Sequence, residues 1–212
     1  MCWVAATDVG LRERKKQRTR QQIAEAAWRL FTERGFDQVP VAEIASAAEV
    51  SEATVFNYFP TKEDLVFHRM EAFEQELVDA SRHRKPDESI VDAFGRFVLE
   101  ARGYLTSNDP AANEGMRAAA RLITGSPALL AREREILESY TDTLAAAIAE
   151  ERGMSAGDVE PWVVANALVG VHRALIDYVH RQALAGVDNR RIARNMRAQG
   201  KRALARLEHG IG

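Results

Sequence analysis

Between positions 51 and 62 the chain places Ser51, Glu52, Ala53, Thr54, Asn57, Tyr58 and Lys62, a set of small, polar and charged side chains at helical spacing. Their chemistry is hydrogen bonding to a polyanion and to flat heterocyclic edges, not bond breaking. The Tyr58 hydroxyl can reach a phosphate oxygen. Lys62, at the start of a following helix, adds a cation beside backbone N–H groups that already favour anions. Asn57 can pair bidentately with adenine, or it can contact only the nucleic-acid backbone. Glu52 in a first helical turn stabilises the helix through its dipole, and in a groove it can also accept from a cytosine amine.

Two short helices must present such a set, and residues 41–65 supply them. Val41, Ile44, Ala45 and Ala48 form the inward side of the first. Ser51 is a good N-cap for the second, Glu52 to Tyr58, which Pro60 ends by disfavouring helical geometry at the preceding residue. Ala45, Ala48, Val50, Val55 and Phe59 are spaced to pack the pair together. The small and polar residues between them stay outward, so that the backbone can approach a major groove. Thr61 with Asp64 reads as a capping box for a fourth helix, whose inward stripe is Val66, Met70, Phe73 and Leu77. Ahead of the pair, Ile23, Ala27, Leu30 and Phe31 mark a first helix stopped at Gly35.

The same punctuation continues to the end of the chain. Asp87 opens a helix carrying Ile90, Phe94, Phe97 and Leu105. Asp109-Pro110 and Ser126-Pro127 each place proline at a first helical position. Gly153 closes a long helix, another runs from the region of Pro161 to Gly186, and Asp188 caps the last, to about His209. No segment alternates at period two. The chain reads as all-α, with about nine helices, the first four short. The expected division is a basic N-terminal tail (1–16), a helix-turn-helix DNA-binding domain (17–77) and a larger helical dimerisation and ligand domain (78–212).

Composition narrows the classes further. The 212 residues are 46% apolar and carry a net charge of only -2, so a nucleic-acid contact must be a local patch on a near-neutral body. The single cysteine, Cys2, excludes an internal disulfide and a Cys-based metal site. The apolar run Cys2 to Ala6 is too short for a signal peptide, and the stretch Trp162 to Val171 is too short to span a bilayer. A soluble cytoplasmic protein with no membrane partner is expected. No HExxH, phosphate-binding glycine loop or nucleophile elbow is present. Acid pairs such as Glu133 with Glu135 and Glu150 with Glu151 sit beside arginines as surface ion pairs. No enzyme activity, cofactor or metal is expected. His172 and His180 are eight apart with no third ligand nearby.

The stretch Thr19 to Leu65, above all Asn57-Tyr58-Phe59-Pro60-Thr61-Lys62-Glu63-Asp64-Leu65, resembles the DNA-binding domain of the tetracycline-repressor (TetR) family. The resemblance implies a three-helix DNA-binding unit followed by a helical dimerisation and ligand domain. It implies phosphate contacts at Thr54, Tyr58 and Lys62, with Glu52, Ala53 and Asn57 facing bases. Two positions depart from the family pattern. Glu49 stands at a turn position usually glycine, so a non-glycine residue must tolerate positive φ there or the turn must bend differently. Val39-Pro40 replaces the capping threonines before the second helix.

The function expected is a transcriptional repressor, released from a palindromic double-stranded DNA operator by a small apolar or amphipathic effector. The alternative is a ligand-independent or architectural DNA-binding protein. The basic run Arg12, Arg14, Lys15, Lys16, Arg18, Arg20 reads as a phosphate-tracking arm, against a solvated tail. A homodimer interface is expected at Asn166, Gly170 and Ala174 on one helix, and at Ile192, Met196, Gly200, Ala203 and Leu207 on the last. An effector pocket is expected among Phe94, Phe97, Tyr104, Met116, Leu122, Tyr140, Trp162 and His172. The competing reading of both sets is ordinary intrachain core. The cations of the last helix, Arg190 to Arg206, read as a solvated face.

Overall fold

The computed structural model describes residues 5–68, 70–85, 87–155 and 157–208, with side chains at 5–9 and 70–72 outside that description. Cys2, the Met70 side chain and His209 therefore fall outside it. The elements are α1 (Ala5–Arg34), α2 (Val41–Ala47), α3 (Glu52–Tyr58), α4 (Asp64–Phe67), α5 (Met70–Arg82) and α6 (Ile90–Val98). A 3₁₀ turn (Gly103–Thr106) follows, then α7 (Pro110–Thr124), α8 (Pro127–Arg152), α9 (Val159–Leu184) and α10 (Asn189–Glu208). No strand occurs among the described residues.

The chain forms two units, 1–68 and 69–212. The division falls nine residues before the expected boundary at 77, for a physical reason. The fourth expected helix is two elements: α4 buries Leu65 and Phe67 in the first unit, while α5 buries Leu77 in the core of the second. Among the described residues ten α-helices stand where about nine were expected. The first is also long: with no breaker between Leu11 and Arg34, the basic run is continuous with α1.

In the smaller unit, Ile23, Ala27 and Phe31 of α1 meet Ile44, Val55, Phe59 and Leu65 in one buried core. Leu30, expected inward, is only half-buried. Gly35 adopts φ +86 and ends α1, a left-handed conformation that costs glycine least. Arg34 ion-pairs with Glu43 and donates to the Gln38 carbonyl at 3.1 Å, fixing the α1–α2 connection.

In the larger unit, α8 packs on α9, and α9 also packs on α7 and α10. Asp109, Ser126 and Ser89 cap α7, α8 and α6 through their side-chain oxygens. Gly200 of α10 is buried, and a Cβ there would lie 2.2 Å from Leu99 Cδ2. That absence of a side chain lets α10 approach the end of α6. Arg84 ion-pairs with Glu151 and Arg82 with Glu150, closing α5 onto the C-terminal end of α8 as surface pairs.

Candidate nucleic-acid interface

The turn that sets α3 against α2 is a Schellman motif. The Val50 N–H donates to the Ala45 carbonyl at 2.9 Å and the Glu49 N–H to Ser46 at 3.1 Å. Glu49, at the position glycine prefers, has φ +55. Of the two alternatives, the chain takes the one in which a non-glycine residue accepts the left-handed conformation. Pro40 precedes α2 in extended conformation and offers no side-chain cap.

Ser51 caps α3 as expected: its Oγ accepts from the Thr54 N–H at 3.1 Å and shares a 2.8 Å hydrogen bond with Thr54 Oγ1. Val55 and Phe59 are buried, while Glu52, Ala53, Phe56 and Asn57 are exposed and Thr54 and Tyr58 are half-buried. None of the six sequence-selected α3-region residues is buried; they lie around the helix away from Val55 and Phe59. After Pro60, Thr61 and Asp64 exchange backbone–side-chain hydrogen bonds at 3.0 and 3.2 Å, forming the reciprocal capping box.

Lys62 is placed differently from the expected phosphate-facing cation. Its ammonium donates to the Phe36 carbonyl at 2.6 Å and lies 4.3 Å from the Phe36 ring centroid and 5.6 Å from that of Phe31. Burial lowers its pKa. Arg20 behaves similarly, donating to the His68 carbonyl at 3.1 Å with its guanidinium 5.3 Å from the Phe59 ring centroid. Arg12 to Arg18 are exposed along α1, so the basic run is a helical extension and not a separate tail over residues 5–16.

In the larger unit the eight expected pocket residues are not one constellation. Phe97, Tyr140 and His172 come together around Phe73. Phe73 stacks on His172 (5.3 Å between centroids, 12° between planes) and on Tyr140 (5.7 Å), and lies 5.0 Å from Phe97. Phe94 and Leu122 are buried core, and Met116 packs partly buried against that core. Tyr104 and Trp162 are 37% and 39% exposed. A cavity of about 640 Å³ between Ile90, Ile148, Val164 and Leu207 contains none of the eight, nor does a groove of about 890 Å³ along α6 and α10. Phe73 and Arg102 adjoin the aromatic cluster and were not among the eight. Phe73 lay on the correct stripe but was assigned to the DNA-binding side of the boundary, and no local pattern marks Arg102.

Tyr140 is fully buried and its hydroxyl pKa is raised by that burial. His172 is buried, its Nδ1 has no hydrogen-bond partner, and burial with the nearby Arg102 charge lowers its pKa to about 4. It is therefore a neutral imidazole at physiological pH.

The expected dimer set divides by helix. Asn166, Gly170 and Ala174 are exposed on α9, along with the apolar Val159, Val163 and Leu184. On α10, Ile192, Met196 and Gly200 are buried within their own chain, and Ala203 and Leu207 are half-buried. Ile192, Met196 and Gly200 belong to the intrachain core, because α10 lays its apolar face on α6, α7 and α9. Its outward residues include the seven cations Arg190, Arg191, Arg194, Arg197, Lys201, Arg202 and Arg206.

Residues 23–68 match the family model of bacterial regulatory proteins of the tetR family. Residues 88–199, more than half of the chain, match the MftR C-terminal domain that accompanies it. The chain belongs to the tetR family. The transcriptional regulator TcmR of Streptomyces glaucescens is 30% identical over 151 residues, which cover 70% of this chain and 67% of TcmR. NalD of Pseudomonas aeruginosa, the secondary repressor of the MexAB-OprM multidrug efflux pump, superposes with a TM-score of 0.55 at 18% identity, covering 88% of this chain and 97% of NalD. The SmeT–triclosan complex gives 0.54 at 16% identity, covering 88% of each chain. These two likenesses show the fold. As a tetR-family member the chain is a DNA-binding transcriptional regulator. No described helix is long and apolar enough to cross a membrane, and no described cluster of acids, histidines or cysteines has the makings of a metal site.

Proposed function

We propose that this tetR-family protein is a cytoplasmic repressor that binds a palindromic operator as a homodimer and is released by a small apolar or amphipathic effector. One observation carries the DNA half: the exposed α3 face of Glu52, Ala53, Phe56 and Asn57, offered by a Schellman turn and the Ser51 cap. Small residues let the helix backbone approach base edges, and Asn57 and Glu52 supply the groups that read them. Thr54 and Tyr58 hydroxyls flank this face and serve as phosphate anchors. Lys62 reaches phosphate with the two ammonium hydrogens that Phe36 leaves over.

Dimerisation through the exposed α9 face at Asn166, Gly170 and Ala174 spaces two copies of α3 along the duplex. Support for an effector comes from the aromatic cluster with its unsatisfied imidazole and from SmeT, which is seen with triclosan. An effector shifts DNA affinity only if it binds the two conformations unequally. Gel shift with DNA flanking the protein's own coding region tests the reading. A complex that resists random competitor is expected, and equal binding to random DNA would favour the architectural alternative.

A further inference from the structure

The four rings around Phe73 come from four helices: Phe73 from α5, Phe97 from α6, Tyr140 from α8 and His172 from α9. Three are buried, and Phe73 is half-buried. Within this apolar setting the His172 Nδ1 makes no hydrogen bond. A buried polar atom left unsatisfied works against folding, and a core position of this shape is better filled by phenylalanine or leucine. Nor does charge explain the histidine. The Arg102 guanidinium sits 3.9 Å from the Phe97 centroid and 5.6 Å from that of Phe73, and it opposes an imidazolium nearby.

The chemistry that resolves the anomaly is narrow. Flat rings stack on flat rings, so an aromatic body suits a cluster whose walls are Phe97, Tyr140 and His172. Phe73 is the least buried of the four. A neutral imidazole Nδ1 is a donor in one tautomer and an acceptor in the other, and a hydroxyl satisfies either. A carboxylate suits the site less. Arg102 already donates to the Phe97 carbonyl at 2.8 Å and to Glu100 at 3.0 Å, so a buried anion would have to break existing bonds to be paired.

We propose that the effector is an uncharged, planar aromatic compound bearing a hydroxyl, which stacks in the Phe73 cluster and hydrogen-bonds His172 Nδ1. This rests on the effector-released repression proposed above.

A matched pair of probes tests it on the full chain: 1-naphthol and naphthalene, which differ by one hydroxyl, titrated by calorimetry. The wild type is expected to bind 1-naphthol about tenfold more tightly. His172→Phe and His172→Leu, checked for cooperative unfolding, are expected to bind both probes alike. Two variants of different volume keep the comparison available if one fails to fold. A hydroxyl preference that survives in the variants overturns the proposal, as does no preference, or no binding of either probe, in the wild type. Operator release is read separately by gel shift. Binding through His172 that leaves the operator complex intact preserves the site and removes effector-released repression. Release by compounds with no hydroxyl preference does the reverse.

Discussion

The ammonium of Lys62 donates to the carbonyl of Phe36 at 2.6 Å, joining the turn ahead of α4 to the connection between α1 and α2. The Phe36 and Phe31 rings flank the same charge, so one side chain closes the helix-turn-helix unit across 26 positions of sequence. A residue proposed above to reach phosphate is also a bolt inside its own domain.

Lys62→Met is therefore expected to act on stability as well as on DNA. Losing a charge-assisted hydrogen bond and a partly desolvated cation–π contact costs about 1–3 kcal/mol, visible as a lower urea midpoint. Operator and random DNA are expected to weaken by the same factor, with the salt slope of binding reduced by about one. An unchanged slope beside the lower midpoint would assign Lys62 to the fold alone.

Glu49 holds φ +55 in a motif built for glycine. Left-handed geometry costs a side-chain-bearing residue about 1–2 kcal/mol. Glycine is freer in the unfolded chain by about 0.5–1 kcal/mol, which offsets part of the relief. Glu49→Gly is expected to raise stability by about 0.5–1 kcal/mol in urea unfolding, with operator affinity retained, because the Val50 and Glu49 backbone bonds persist.

These two residues show where the sequence was readable. Caps and stops are local, so Ser51, Pro60, Gly35 and the Thr61–Asp64 box marked their element ends, while at Glu49 the sequence left positive φ and a different bend as alternatives and the chain takes the first. Apolar period identifies which face of a helix is buried without identifying what buries it. For the stripe Ile192, Met196 and Gly200 the sequence left a partner and its own chain as alternatives, and the residues are buried in their own chain. Lys62 over Phe36 and Arg102 over Phe97 join residues that no periodicity links. Phe73 lay on the right stripe, but the break between α4 and α5 leaves no proline or glycine to announce it.

His172 is held neutral, with its pKa lowered to about 4 from the ordinary 6.5. Between those values the unfolded chain binds the proton and the native protein does not, so stability falls as pH drops from 6.5 towards 4. The full difference corresponds to about 3 kcal/mol, an upper bound if the native state relaxes around the charge. His172→Phe is expected to remove this part of the acid sensitivity and to raise stability near neutrality by about 1 kcal/mol. Urea midpoints of both proteins at several values between pH 7 and 4 measure it. Parallel curves would place the acid sensitivity on other groups.

Asn57 is exposed in the last turn of α3, beyond the half-buried Thr54 and next to Tyr58. Adenine presents a donor and an acceptor in the major groove that match the two ends of the asparagine amide, whereas a phosphate takes only the donor. Asn57→Ala separates these roles without disturbing the core, since alanine is the better helix former. A base contact predicts a loss of about 1–3 kcal/mol for the operator, little change for random DNA, and tolerance of other bases at one operator position. Equal weakening on both DNAs, with the operator's base preferences intact, would make Asn57 a backbone contact and leave Glu52 to carry the reading of sequence.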